Sequence, residues 1–126
     1  MDSQPVKEWI VLIPDVKGSL EARMRVRETH VKDMIKHIDS GLLQMGGATL
    51  DGSAVGGSAI IARAKTEAEI LAVLKTDIYV RSGVWDLDKA RLIPVCIRII
   101  TIYKWVRTDM SDSSSVSIGA RMLMTV

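Results

Sequence analysis

An arginine and a histidine, Arg27 and His30, lie one turn apart in a stretch whose apolar residues repeat with the period of a helix. With about 100° per residue and Met24 placed at 0°, five other apolar side chains fall within about 80° of it. This apolar stripe consists of Leu20, Met24, Val31, Met34, Ile35 and Ile38. Arg27 falls inside the stripe, at about 300°, and His30 at its edge, at about 240°. The stripe is expected to face the core, so a cation inside it favours a functional role. The alternative is that the arginine forms a purely structural ion pair or extends its charged end into water.

These residue types suit proton transfer on an anionic compound. A histidine can take and return a proton near neutral pH, and an arginine binds anionic groups. The structural alternative for His30 is an ordinary hydrogen-bonded residue at the edge of the core. His37 lies two turns further along the predicted helix, but no cysteine or carboxylate at ligand spacing completes a metal set. The pattern therefore predicts no metal.

The surrounding sequence predicts elements that would position these residues. Ser19 is a suitable N-cap for a helix from Leu20 to about Asp39, and Ser40-Gly41 ends it. Further elements are predicted as strands at 8–13, 42–50 and 58–64, a flexible turn at 51–57 and a helix at 66–75. A final strand region is predicted at 84–106, interrupted near 86–89 and again at Pro94. Gly46-Gly47 inside the second strand indicates a bulge, or a backbone that another group approaches closely.

The order strand, helix, strand, strand, helix, strand predicts an α+β fold of the ferredoxin-like βαββαβ type. Its sheet would have four antiparallel strands with both helices on one face. The opposite face would remain apolar, so a homodimer is expected to cover it.

One domain accounts for most of the 126 residues. We expect it to span residues 1–106. Residues 107–126 begin with a polar, serine-rich stretch, and they are predicted to form a poorly packed C-terminal tail whose last residues could dock weakly.

Five segments, in the same order and at nearly the same spacing, make the chain similar to the YCII-related proteins. They are Ser19–Met34, Ser40–Gly47, Gly56–Ala62, Thr66–Trp85 and the late Pro94. The similarity covers about residues 8 to 98. It implies an architecture like that of muconolactone isomerase, in which two subunits form a dimeric α+β barrel.

The resemblance also implies a catalytic pair. The family has a histidine after Arg-x-x, which matches His30, and an aspartate that matches Asp77. This chain has Ile78 where the family usually has proline, and that change could aim Asp77 slightly differently. A carboxylate beside a histidine fixes the tautomer of its ring and supports acid-base chemistry.

Five further residues are predicted to bind the substrate. Arg27 could hold an anionic group, and hydrogen-bond donors could come from Ser58, Tyr79 and the backbone at Gly46 and Gly47. Trp85 is expected to be a packing or interface residue.

The leading functional hypothesis is a small cofactor-independent enzyme, a lyase or isomerase. The His30/Asp77 pair would perform isomerisation, elimination or lactone and ring tailoring on a small metabolite, in a catabolic or secondary-metabolite pathway. The alternative is a non-catalytic dimeric protein that binds a ligand in the same cleft.

Composition argues against several other classes. The net charge is only +2, and the predicted strands at 42–50 and 58–64 carry no aromatic residue on which a base could stack, so no nucleic acid is expected. No apolar run is long enough to span a bilayer, and the N-terminus has no signal-peptide pattern, so no membrane partner is expected. The single cysteine permits no internal disulfide, which favours a cytoplasmic location.

Overall fold

A computed structural model describes residues 4–96, 99–103 and 121–125. Its first unit ends at Val95 and contains a four-stranded antiparallel sheet in the order β2-β3-β1-β4. The strands are β1 (Lys7–Pro14), β2 (Leu43–Asp51), β3 (Ala54–Ala64) and β4 (Arg91–Val95). The helices are α1 (Leu20–Asp39), α2 (Glu67–Leu74) and α3 (Ile78–Arg81), and a 3₁₀ turn spans Leu87–Lys89. This is the predicted ferredoxin-like α+β fold.

The second unit comprises residues 96–126. Its described part is an antiparallel pair, β5 (Ile99–Tyr103) with β6 (Arg121–Thr125). The predicted domain boundary after Val106 and the serine-rich stretch that follows lie outside the described residues.

The core lies between the sheet and its helices. Trp9, Val11 and Ile13 alternate along β1 and are buried on the same face, as the two-residue period of a strand requires. Tyr79 of α3 joins them in one apolar cluster with residues from β3 and α2. No helix in the described part of the chain is both long and apolar enough to cross a membrane.

The hairpin between β2 and β3 is tighter than the sequence predicts. The predicted flexible turn at 51–57 shrinks to Gly52-Ser53, where Gly52 has φ +63°. Strand β3 therefore starts at Ala54 rather than Ser58. Gly57 packs so closely against the Ile13 carbonyl that a Cβ atom would collide with it. Gly57 thus serves a close strand contact, and Gly52 provides the positive φ of the turn, so the segment is not a flexible loop.

Most of the apolar stripe of α1 does not face the core, and that prediction was wrong; of its residues, Met34 is half-buried and packs against the core cluster. Leu20, Met24 and Ile35 are more than half exposed. The side of α1 that packs inward carries Arg23, which is 6% exposed, together with the half-buried Val26 and His30. Arg27, predicted to lie in the core-facing stripe, is exposed. The period of the stripe was correct, but an apolar stripe can line an open cleft as well as a core.

Candidate active site

The structure brings His30 and Asp77 together. His30 Nδ1 lies 2.8 Å from Asp77 Oδ1, across 47 residues of sequence. The Asp77 side chain is 1% exposed and that of His30 is 14% exposed. An ionised carboxylate only accepts hydrogen bonds, so Nδ1 carries the proton and donates it. His30 also lines a cleft, which leaves Nε2 as the ring nitrogen available to a ligand there.

Asp77 is positioned by the start of α3. It is the N-cap residue, and its Oδ1 also accepts a hydrogen bond of 2.8 Å from the backbone N–H of Tyr79. Its φ of −68° and ψ of 144° are the extended values that a following proline would favour. Ile78 occupies the first helical position, where proline is common in other helices. The capping bond therefore holds Asp77 towards His30 without the proline.

Two aromatic rings hold the imidazole of His30. Tyr79 stacks on it, with ring centroids 3.8 Å apart and planes 9° apart, and Trp85 meets it edge-on at 5.2 Å. Tyr79 is 1% exposed, and its burial raises the pKa of the hydroxyl from the usual 10.0, while Arg23 and Arg27 lower it by less. The phenol is therefore protonated at neutral pH and can donate a hydrogen bond.

Arg23 is the buried cation of the site. Its Nη1 lies 2.8 Å from both carboxylate oxygens of Asp15, and its Nη2 donates to Ser58 Oγ at 3.1 Å. Its guanidinium also lies over the Tyr79 ring, 4.9 Å from the centroid. Because Asp15 neutralises Arg23, this cation fixes the site rather than offering a free charge to a ligand.

Ser58 is forced to act as a donor towards the cleft. Its hydroxyl oxygen accepts hydrogen bonds from Arg23 Nη2 and, at 2.9 Å, from Trp85 Nε1. A hydroxyl has two acceptor positions and one donor hydrogen, so both acceptor positions are occupied. Ser58 is 4% exposed and lines the cleft, so its hydrogen is available to a ligand atom there. Such an atom must be an acceptor, such as a carbonyl or enolate oxygen.

The cleft lies between α1 and strands β2 and β3 and has a volume of about 310 Å³. It brings together His30 and the five predicted substrate-binding residues Arg27, Gly46, Gly47, Ser58 and Tyr79. Asp77 lies behind His30 and is not among the lining residues. Arg27, predicted in a core-facing stripe, is instead exposed at the cleft, and Arg23 is the buried arginine.

A Cβ atom at Gly46 would make ordinary contacts with Ala59 and Ile60, and one at Gly47 would meet nothing within 4 Å. Packing within the described chain therefore does not require either glycine. Their lack of side chains leaves room beside the cleft, which fits the predicted close approach of a ligand.

Sequence reasoning missed Arg23, Asp15 and the polar role of Trp85. Arg23 had a usable signal, because it precedes His30 by seven residues and so lies on the same side of α1. Asp15 and Trp85 had no local signal, since an isolated bridge between the residue that follows β1 and the loop after α3 brings them together. Among the described residues, no group of three or more His, Cys, Asp or Glu side chains could hold a metal ion.

Comparison with known proteins identifies relatives. The model of the YCII-related domain matches residues 8–89. Fusaric acid biosynthesis protein 2 of Gibberella fujikuroi is 31% identical over 96 residues, which are 71% of this chain and 92% of that protein. Aspercryptin biosynthesis cluster protein B of Emericella nidulans is 30% identical over 96 residues, which are 70% of this chain and 62% of that protein.

A solved structure shares the fold. It is the 5-chloro-2-hydroxyhydroquinone dehydrochlorinase of Burkholderia phenoliruptrix in complex with 2,5-dihydroxybenzoquinone. The TM-score is 0.57 at 20% identity, and the match covers 71% of this chain and 92% of that one.

Proposed function

Because this chain belongs to the YCII-related domain family, we propose that it is a small cofactor-independent enzyme that uses His30 and Asp77 for acid-base chemistry on a small metabolite. The observation that carries the proposal is the 2.8 Å contact between His30 Nδ1 and the buried carboxylate of Asp77. This contact commits one ring nitrogen to the protein and leaves Nε2 to the cleft. A histidine with an orienting carboxylate is a recurring general base.

The cleft suits a cyclic compound that becomes an enolate. His30 Nε2 would remove a proton from a carbon next to a carbonyl, or from an enol hydroxyl conjugated with one, and the electron pair of the broken bond would be delocalised onto the carbonyl oxygen. The Ser58 hydroxyl would donate to that oxygen. Arg27 has no carboxylate within 4 Å among the described residues, so its charge is available to the same anion.

Two outcomes follow from such an intermediate. The protonated His30 can return the proton to a different carbon, which gives isomerisation. Alternatively, the carbonyl re-forms, a double bond forms between the deprotonated carbon and the next carbon, and that next carbon loses its leaving group as an anion, which gives elimination. Asp77 stabilises the imidazolium in both cases without taking its proton. The dehydrochlorinase among the structural relatives acts on a chlorinated hydroxyhydroquinone, and two relatives are named for biosynthesis of secondary metabolites. These names support a tailoring or catabolic step on a ring-containing metabolite.

A deletion strain tests the proposal and reveals the substrate at the same time. Cells that lack the gene should accumulate the substrate, and a His37→Ala copy should restore the wild-type metabolite profile. His37 is the matched control, because it is the other histidine, lies on the same helix and is outside the cleft. A His30→Ala copy should not restore the profile.

Purified His30→Ala protein then separates the enzyme from a ligand-binding protein. If the protein is an enzyme, this variant should still bind the accumulated compound while it fails to convert it. Restoration of the profile by His30→Ala would support the ligand-binding alternative and contradict the acid-base role.

A further inference from the structure

The apolar stripe of α1 forms one wall of the cleft that contains His30. Four of its side chains line that cleft while they remain open to solvent: Met24 is 62% exposed, Val31 38%, Ile35 51% and Ile38 46%. A contiguous apolar surface of this kind is uncommon on a soluble domain without a binding role. Leu20 belongs to the same stripe and is 53% exposed, but it lies outside the cleft.

The polar side chains of the cleft gather at one end, where Met24 is also present, and the other end is apolar. Arg27, His30 and Ser58 belong to the polar end. Ile38 follows His30 by eight residues, which places it about 12 Å further along the helix axis. The sheet wall has the same two ends. Ala48 of β2 pairs with Ser58 at the polar end, whereas Leu43, which follows α1 closely in the sequence, pairs with Ala62.

We propose that the ligand of this cleft is amphipathic, with an oxygen-rich anionic ring at His30 and a linear hydrocarbon arm along Val31, Ile35 and Ile38. The nature of the ring rests on the proposed function, whereas the arm rests on the apolar wall alone. A small molecule fits better than a protein surface, because these side chains face β2 and β3 across a concave space of about 310 Å³. The polar site at one end of the same cleft also gives such a molecule a fixed orientation.

A chain-length series tests the arm. The probes are 2,5-dihydroxybenzoquinone, the ligand of the structural relative, and its ring-alkylated derivatives with progressively longer straight chains. Equilibrium binding is measured by calorimetry. Each methylene buried against the stripe should lower Kd about three- to fourfold. The gain should stop once the chain passes Ile38, about 12 Å from His30.

Two variants locate the arm. Ile35→Glu places a charge on the apolar wall and should abolish most of the gain per methylene. Leu20→Glu is the matched control, since it changes an equally exposed residue of the same stripe outside the cleft, and it should leave the series unchanged. Ile38→Glu should affect only the longer chains. The side chains at 35 and 38 are about half exposed, so these changes should not prevent folding.

Three results would overturn the arm. One is a Kd that does not depend on chain length although the unsubstituted quinone binds; this result would leave the proposed function standing. Another is a loss of self-association by Ile35→Glu in light scattering, which would assign the stripe to contact with a second copy. The third is a lack of binding by the whole series, which would also count against the oxygen-rich ring. If the alkylated quinones bind and the unsubstituted quinone does not, the arm would be supported, and only the proposed class of ring would be rejected.

Discussion

At the residue scale, Asp77 links the start of a helix to the chemistry of the site. Its Oδ1 accepts one hydrogen bond from the Tyr79 backbone and another from the His30 ring. Its Oδ2 is buried without a hydrogen-bond partner among the described residues. A buried carboxylate needs a compensating partner, and an imidazolium would provide one with full charge. Protonation of His30 during a reaction would therefore stabilise the buried negative charge of Asp77.

Tyr79 provides a prediction about alkaline pH. Burial raises the pKa of its hydroxyl from the usual 10.0, so the folded protein holds this proton in a pH range where the unfolded chain releases it. The contribution of Tyr79 to stability is therefore complete below pH 10.0 and is lost as pH rises through the folded pKa. In a Tyr103→Phe variant, where Tyr79 is the remaining tyrosine, tyrosinate absorbance should appear above pH 10.0.

The same variant unfolded in denaturant is the control for this titration and should ionise near the ordinary tyrosine value. Thermal unfolding of the folded variant should occur at lower temperature as pH rises above that value. Ionisation of Tyr79 at or below pH 10.0 in the folded protein would contradict the burial of its ring.

At the element scale, α1 presents two arginines that should respond differently to the same substitution. Arg23→Met removes the partner of Asp15, whose side chain is 9% exposed, and should cost about 3–5 kcal/mol of unfolding free energy. Arg27→Met changes an exposed residue beside apolar neighbours, so stability should stay within about 0.5 kcal/mol or rise slightly. Denaturant unfolding measures both values.

Ligand binding separates the two arginines further. Arg27→Met should weaken the binding of an anionic ligand while the fold remains intact, which isothermal calorimetry would detect. Arg23→Met should reduce binding only to the extent that the site loses its structure. Equal loss of stability in the two variants would contradict the assignment of Arg23 as the buried cation.

The bounds of α1 and α2 could be predicted from the sequence because their signals are local, whereas β3 begins four residues before its predicted start and β4 is confined to Arg91–Val95. The Thr66 hydroxyl accepts a hydrogen bond from the backbone N–H of Glu69, as a capping residue does. Helix α1 begins and ends at the predicted residues. Ser19 occupies the N-cap position of α1, but its hydroxyl donates to the Val84 carbonyl instead of capping the helix. That contact joins residues 65 positions apart, so the local pattern could not reveal it.

The rotation of α1 could not be predicted from its hydrophobic period. The period identifies an apolar stripe, but a core and an open cleft produce the same stripe. The buried side of the helix instead carries a charged residue, which is rare unless a partner neutralises it. That partner, Asp15, lies in a loop after β1, and only the folded arrangement shows the pair.

At the scale of the whole molecule, the sheet has a second face that the helices leave uncovered. Ile10 of β1 pairs with Ile61 of β3 and with Ile93 of β4, and side-chain alternation directs these three residues away from the buried face of β1. We expect two copies to associate through this face. Light scattering should give twice the mass of one chain at micromolar concentration.

Ile61→Lys tests that interface, because a charge on the apolar face should dissociate the dimer. Leu20→Lys, which places the same charge on an exposed residue of α1, is the control and should leave the mass unchanged. A wild-type protein that remains monomeric at micromolar concentration would rule out this mode of association.

The most direct measurement of the central claim is proton exchange on a bound cyclic enol. A ring carbon of 2,5-dihydroxybenzoquinone exchanges its hydrogen with deuterated water when an acid delivers a proton to it and a base removes the original one. Proton NMR follows the loss of the ring signal. The wild-type protein and His37→Ala should accelerate the exchange equally, and His30→Ala should lower the rate by a factor on the order of 10²–10⁴. Exchange by His30→Ala at the wild-type rate would contradict the role of His30 as the acid-base group.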